Sequence, residues 1–282
     1  MIREQISYHS TSMDLSLIIK AIIMGIVEGL TEFLPVSSTG HLIVVGKLLN
    51  LPEAIASTFE IFIQLGAILA VVVFFIRDLI DLLKRALRER RAQMLLVNIA
   101  IAFVPAAVIG LLLNKIIEQR LFNPTTVALA LIVGGVIMLA VEWRPRTAKT
   151  TDIEQTRPAQ ALGIGIAQVA SLWPGMSRSA STLVGGMLMG LDRPTALRFS
   201  FYLSIPTMII ASLFSLVRDP GRVGGEYVPA FAVGFIVSFI VALVVVRFFL
   251  GYVAKHDLKP FAWYRIAAGV VLLMLVAVGF FA

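Results

Sequence analysis

The chain has 282 residues, 59% hydrophobic and only 15% charged, with a mean hydropathy of +0.92; a soluble domain runs at ~45–50% apolar and ~25% charged, so lipid is the solvent for most of this chain and disorder is excluded. Lys and Arg number 24 against 17 Asp and Glu, a net +7, which in a membrane protein reads as cationic cytoplasmic loops and sets nucleic acid aside as a partner. Cysteine is absent, which removes disulfides, thiolate metal sites and a cysteine nucleophile and leaves the redox compartment unread.

Residues 1–12 read as a disordered extension. A cleaved signal peptide is not expected, because the apolar run that follows carries Lys20 and Glu28 and lacks a small-residue cleavage pattern. A transmembrane helix needs ~20 mostly apolar residues. Residues 15–51 fail that test, being broken by Glu28, Glu32, Pro35 and the polar run Ser37-Ser38-Thr39-Gly40-His41. Two short apolar pieces around a polar centre predict a re-entrant helix–loop–helix, dipping in and returning to the same side. Irregular backbone at membrane depth is tolerated only where protein or a watery cavity covers it. Three spans follow, at 59–76, 94–113 and 124–143, and then a basic linker over 144–159. Residues 160–191 are interrupted in turn by Pro174-Gly175 and Ser177-Arg178-Ser179, which predicts a second re-entrant hairpin. Spans at 199–217, 228–250 and 262–282 complete the chain. The expected fold is an all-α integral membrane protein with six transmembrane helices and two re-entrant hairpins. With both hairpins re-entrant, the loops 77–93, 144–159, 191–198 and 247–259 share one side and hold 15 Lys and Arg against 7 on the other. That side is cytoplasmic and both termini lie outside.

The order of elements repeats: one hairpin, three spans, twice. A shift of 140 residues aligns Gly25-Ile26-Val27-Glu28 with Gly165-Ile166-Ala167-Gln168, and Phe59-Glu60-Ile61-Phe62 with Phe199-Ser200-Phe201-Tyr202. A shift of 139 aligns Pro35-Val36-Ser37-Ser38 with Pro174-Gly175-Met176-Ser177. Because three spans is an odd number, the second copy (160–282) enters from the opposite face to the first (13–143). This is the inverted-repeat plan, whose broken helices meet near the midplane and form a site there.

Glu28, Glu32 and Arg178 all fall in the two broken regions. Facing lipid, they would together cost on the order of 8–10 kcal/mol, so they face one another, water or a ligand. Glu28 and Glu32 are four apart and share a helix face. Two carboxylates there need a proton or cation between them: a metal ion, Arg178 or His41. Ser37, Ser38 and Thr39 stand where a second short helix begins, and Ser177 and Ser179 occupy the same place in the second repeat. Helix N-termini offer free N–H groups to an anion, and an Arg between two of them makes a cradle for phosphate. His9 and His256 read as solvated bystanders. His41, three positions after Ser38, forms with it a nucleophile–base candidate. Such a set suits phosphoryl chemistry on a lipid-anchored substrate. A transporter or flippase of a polyprenyl phosphate lipid is the alternative that the same midplane site allows.

The stretch from Glu28 through Pro35 to His41, EGLTEFLPVSSTGH, closely resembles the signature of bacterial undecaprenyl-pyrophosphate phosphatases, also called bacitracin-resistance proteins. Pro174-Gly175-Met176-Ser177-Arg178-Ser179-Ala180-Ser181-Thr182 resembles their second signature, with Ala180 where a Gly is common. The resemblance covers about residues 13–282. It implies hydrolysis of undecaprenyl pyrophosphate to the monophosphate and inorganic phosphate, recycling the lipid carrier for cell-wall synthesis, and bacitracin resistance when the protein is abundant. It implies a divalent cation, Mg²⁺ or Ca²⁺, held by Glu28 and Glu32, in a multi-pass protein of the bacterial inner membrane whose site opens to the periplasm. Arg178, with Ser177, Ser179, Ser37 and Thr39, would hold the pyrophosphate. Ser38 or His41 would attack phosphorus or orient a water, and Glu28 or Glu32 would serve as metal ligand or acid/base. Glu60, Gln64 and Ser204 on neighbouring spans would stand behind them, mainly in packing roles. The polyprenyl chain length and a homodimer are left open.

Overall fold

The computed structural model describes residues 15–144, 147–218 and 227–281, without the side chains of residues 53 and 54. The expected extension over 1–12 lies outside the described residues. Among them the chain is all-α, and six helices are long and apolar enough to cross a membrane: Ile55–Phe74, Arg90–Leu121, Pro124–Trp143, Arg193–Arg218, Val228–Val253 and Lys259–Ala277. These coincide with the six predicted stretches, extended at several ends by polar turns that a hydropathy window trims.

In chain order the helices are α1 (Leu15–Thr31), α2 (Ser38–Leu48), α3 (Glu53–Phe74), α4 (Ile76–Ala86), α5 (Arg90–Ile116), α6 (Pro124–Trp143), α7 (Pro158–Val169), α8 (Arg178–Leu188), α9 (Arg193–Arg218), α10 (Val228–Val253) and α11 (Lys259–Ala277). A short π-helical turn over Ile117–Leu121 extends α5. The sequence reading left residues 77–93 as a charged loop, but α4 occupies most of it. Charge hid an amphipathic helix there. Its Leu82 is buried, while Arg85 pairs with Asp81, Glu89 and Glu154.

Both interrupted regions fold as two short helices around a turn. The first turn joins α1 to α2, and Pro35, which fixes its own φ and removes a donor, keeps α1 from continuing. The second joins α7 to α8 through a 3₁₀ turn at Ala170–Leu172 and the Pro174-Gly175 pair. One register of 140 relates the two regions throughout. Ser37 and Ser177 both have positive φ, 71° and 69°, and so do Asn50 and Gly190, 46° and 91°. The helices α2 and α8 are 11 residues each and begin at Ser38 and Arg178. The one-residue offset inferred from the Pro-Ser punctuation is therefore corrected: Ser177 stands where Ser37 does, and Arg178 where Ser38 does. A proline fixes only its own neighbourhood, whereas two matched positive-φ serines fix the turn.

Helix α1 lies against α10, and its counterpart α7 lies against α5; α6 packs on α11 and α3 on α9. Small residues let these backbones approach. A Cβ on Gly25 would meet the Gly234 carbonyl oxygen at 2.7 Å, and one on the matching Gly165 would meet that of Ala102 at 2.5 Å. Because the obstacle at Gly165 is backbone, Gly165→Ala must part α7 from α5. A loss of about 1–3 kcal/mol is expected, as for overpacked cores, and it is read as a lower midpoint of thermal unfolding in detergent. At the other end of the molecule, Glu142 of α6 ties two helix starts together. Its carboxylate pairs with Arg193 of α9 and accepts the Leu258 N–H beside α11 at 3.0 Å.

Candidate active site

The two turns meet. Ser179 Oγ of α8 donates to the Leu34 carbonyl of the first turn at 2.9 Å, and the Arg178 guanidinium lies over the Phe33 ring, 5.7 Å from its centroid. Arg178 Nη2 reaches Glu32 Oε1 at 3.4 Å, joining residues 146 apart in the chain. The other oxygen of Glu32 accepts the Ser38 hydroxyl at 2.6 Å. Burial makes these contacts matter. The side chains of Arg178 and Glu32 are 10% and 8% exposed, and removing one partner would leave an uncompensated charge in a low-dielectric site.

The guanidinium is incompletely used. Nη1 makes a long contact to the Ser200 carbonyl at 3.4 Å, and Nε is buried without a hydrogen-bond partner. A buried donor left unmade costs about 1–3 kcal/mol, which an incoming phosphate oxygen would recover. The base of Arg178 is fixed from behind: Thr182 Oγ1 donates to its carbonyl at 2.9 Å and shares a 2.5 Å hydrogen bond with Ser200 Oγ. A cavity of about 190 Å³ opens in front, lined by Glu32, Ser37, Ser38, Thr39, Ser177 and Arg178 among others. A second of about 660 Å³, open to one side, shares Ser38, Thr39 and Gln64 with it and adds Glu28, Glu60 and apolar side chains such as Phe214 and Phe122.

Glu28 faces that larger space, 1% exposed, and neither carboxylate oxygen has a hydrogen-bond partner. Its charged neighbours are Glu32, Glu60 and Arg178. A buried carboxylate with nothing to neutralise it is unfavourable, so the geometry leaves room for a cation or a proton there. Among the described residues no cluster of three or more His, Cys, Asp or Glu could hold a metal by itself. Two carboxylates, from Glu28 and Glu60, with the neutral oxygens of Gln64 and Ser38, still offer the hard oxygen donors that Mg²⁺ and Ca²⁺ take, the rest of the shell being water and phosphate. Glu60 and Gln64 thus line the site beyond the packing role mainly expected of them, whereas Ser204 keeps to that packing role. Its buried hydroxyl donates to the Phe201 carbonyl at 2.6 Å. Ser179 also departs from its predicted role: fully buried and spent on Leu34, it joins the turns instead of lining the cavity.

His41 departs most. It lines neither cavity, and its ring nitrogens bond elsewhere than to Ser38. Its Nδ1–H donates to the Ser37 carbonyl at 2.7 Å, so Nε2 is the acceptor, and the Tyr264 hydroxyl donates to it at 2.6 Å. The two rings are nearly parallel, 5.6 Å between centroids. A spacing of three on a helix permits a Ser38–His41 contact but does not select the rotamer. The carbonyl of Ser37, one turn back, is the acceptor His41 takes. Ser37, with φ 71° and ψ 105°, holds a backbone conformation that persists only when its surroundings fix it. His41→Ala should therefore lower turnover roughly 10–100-fold by releasing this turn, on the scale expected for misplaced reacting groups. Tyr264→Phe, which keeps the stack and loses one hydrogen bond, should cost only about threefold. Steady-state kinetics of both variants in detergent check the order.

Four participants were not singled out from the sequence. Gln168, which replaces Glu28 in the second repeat, is buried with both amide atoms unpartnered. Ser200 and Thr182 are small hydroxyls; Thr182 closes the second signature, but nothing in the sequence marks either as a support of Arg178. Arg265 had one: it is the sole charged residue of the last predicted stretch, 262–282.

Comparison with known proteins places these residues in context. The family described as bacitracin resistance protein BacA matches residues 21–271. Similar proteins include the undecaprenyl-diphosphatase of Polaromonas naphthalenivorans, 49% identical over 265 residues and covering 93% of this chain and 96% of the relative. That of a Thermoanaerobacter species, strain X514, is 52% identical over 264 residues, with 93% and 98% covered. That of Caldanaerobacter subterraneus is 51% identical over 266 residues, with 94% and 98% covered. With both signatures inside the matched range and the relatives aligned almost end to end, the chain belongs to the bacitracin resistance protein BacA family.

Proposed function

We propose that this protein hydrolyses undecaprenyl pyrophosphate to undecaprenyl phosphate and inorganic phosphate, recycling the lipid carrier for cell-wall synthesis. Family membership supplies the substrate class, and one observation carries the chemistry: Glu32 accepts the Ser38 hydroxyl with one oxygen and meets Arg178 with the other. A nucleophile and a phosphate-binding cation converge on a single carboxylate, which serves as the base.

Ser38 Oγ attacks the terminal phosphorus as its proton passes to Glu32. The bond from that phosphorus to the bridging oxygen breaks, and undecaprenyl phosphate leaves. Glu32 passes that proton to the departing undecaprenyl phosphate; water then attacks the phosphoserine, and Glu32 takes its proton and delivers it to Ser38 Oγ as the bond from Oγ to phosphorus breaks and inorganic phosphate departs. Arg178 holds the equatorial oxygens throughout, where negative charge concentrates. Thr39, Ser37 and Ser177 border the same pocket and orient the phosphates. Glu28 and Glu60, with Gln64, would hold a divalent cation, Mg²⁺ or Ca²⁺, which when bound supplies charge to the pyrophosphate oxygens. Glu32, already engaged by Ser38 and Arg178, is the poorer ligand.

The two turns act as tips of re-entrant hairpins in an inverted repeat, 13–143 and 160–282. The shared register and the exchanged packing of α1 on α10 and α7 on α5 support this reading. The loop-charge bias puts 77–93 and 144–159 in the cytoplasm of a bacterial inner-membrane protein, so the cavity opens to the periplasm. The apolar rim of the larger cavity suits a polyprenyl chain entering from the bilayer.

Purified protein in detergent, where transport has no meaning, decides the matter. One inorganic phosphate per undecaprenyl pyrophosphate is expected with Mg²⁺ or Ca²⁺ present. No release with any divalent ion would move the reading to transport.

A further inference from the structure

Arg265 lies in the last span, fully buried. Among the described residues no carboxylate pairs with it. Its partners are main-chain carbonyls from three separate segments. Nη1 donates to Pro35 of the first turn at 3.3 Å, and Nη2 donates to Gly175 and Met176 of the second turn at 3.1 and 2.9 Å. Nη2 and Nε also make longer contacts to Ala130 and Leu131 of α6, both at 3.4 Å. A cation at this depth is expensive, and one solvated by carbonyls alone gives no stability that an apolar side chain could not. What it does give is geometry. Pro35 stands three residues before Ser38, and Met176 two before Arg178.

The space is kept for it. A Cβ on Gly134 of α6 would fall 2.0 Å from Arg265 Nη2, 2.7 Å from Cζ and 3.0 Å from Met176 Sδ. Gly175, at φ 98°, lets the second turn lie against α6, where a Cβ would meet the Val127 carbonyl oxygen at 2.4 Å. The guanidinium is therefore confined between α6 and both turns. The two turns are otherwise joined by the hydrogen bond from Ser179 to Leu34 and by Arg178, which reaches Glu32 and lies over Phe33.

We propose that Arg265 is a positioning residue whose guanidinium pins the two turns to each other, so that Ser38 from one and Arg178 from the other address the same phosphate. The proposal rests on the phosphatase reading above. It touches no reacting atom and acts through the backbone of Pro35, Gly175 and Met176. A planar fork with five N–H groups reaches carbonyls in divergent directions. An ammonium is a point, so Arg265→Lys keeps the charge and loses at least one turn.

The test compares Arg265→Lys and Gly134→Ala with the unsubstituted protein in detergent on undecaprenyl pyrophosphate, with rates referred to the monodisperse fraction from size exclusion. Gly134→Ala leaves the arginine in the chain and only displaces it, so it decides the matter where Arg265→Lys folds poorly. In both, kcat should fall about 100-fold, the cost of roughly an ångström of misplacement, while KM stays within about threefold because Arg178 still binds the pyrophosphate. The pH–rate profile should keep its shape, since no proton donor has changed. A loss confined to folded yield, with unchanged kcat in the folded fraction of either variant, would overturn the proposal and make Arg265 a packing residue. An unsubstituted protein that releases no phosphate would instead overturn the phosphatase reading.

Discussion

Arg178→Ala should lower phosphate release from undecaprenyl pyrophosphate by at least about 10³-fold, the range seen when a cation that meets transition-state charge in phosphoryl transfer is removed. The argument begins with the side chain's surroundings. It is buried, its Nε has no partner, and its contacts to Glu32 and Ser200 are both 3.4 Å. Those donors are held near the cavity without being satisfied, and phosphate oxygens would complete them. Arg178→Lys should recover little, because a point charge cannot grip two oxygens in one plane. Removal also leaves Glu32 buried beside Glu28 and Glu60, a loss of about 3–5 kcal/mol in folding free energy. The activity must therefore be referred to folded protein, and Arg178→Ala in a Glu32→Gln background should fold better than either charge imbalance alone. Folded Arg178→Ala with a tenth or more of normal activity would remove the arginine from the phosphate cradle.

The residues that can be read from sequence are those whose cost in lipid has no other explanation. Six apolar stretches, two broken regions and the acid–base–cation set within them follow from hydropathy and punctuation, and the structure places Glu32, Ser38 and Arg178 in contact. What periodicity cannot convey is direction. Ser38 and His41 share a helix, yet Ser38 turns to Glu32 six residues back and His41 to Tyr264, 223 residues on. The choice is made by tertiary neighbours that no local pattern encodes. Ser179 was read as a ligand because it stands at the start of the second short helix, as Ser37, Ser38 and Thr39 do in the first. One helical step turns it into the protein, where the Leu34 carbonyl accepts its hydrogen bond. Helix α4 was missed for a related reason. Its charge density reads as solvent, and only the buried Leu82 and its place between α3 and α5 mark it as packed. Arg265 was legible by the same cost argument that found Arg178, but it stands in an unbroken apolar stretch, where a single charge passes for a terminal anchor.

Ser38→Ala should abolish turnover by about 10³-fold or more, since nucleophile and oriented hydroxyl are lost together. Its effect on folding should be small, because only one hydrogen bond, to Glu32, disappears. The stronger discrimination lies in what accumulates. If Ser38 Oγ bonds to phosphorus, acid quenching of the protein with substrate labelled in its terminal phosphate should trap label on the chain, and peptide mapping should put it at residue 38. Glu32→Gln keeps an acceptor near Ser38 but cannot take its proton. Attack should slow by roughly 10²–10⁴, the usual contribution of a positioned base, and trapped label should fall with it. Should water be the direct nucleophile, no label would appear, and Ser38→Cys, a thiol that can still accept and donate, would retain substantial rate without a phosphorylated intermediate. The geometry favours the covalent route. The hydroxyl already points its proton at a carboxylate whose second oxygen faces the phosphate-binding arginine, so transfer of that proton leaves Arg178 opposite a neutral acid and free to meet the charge arriving on phosphorus.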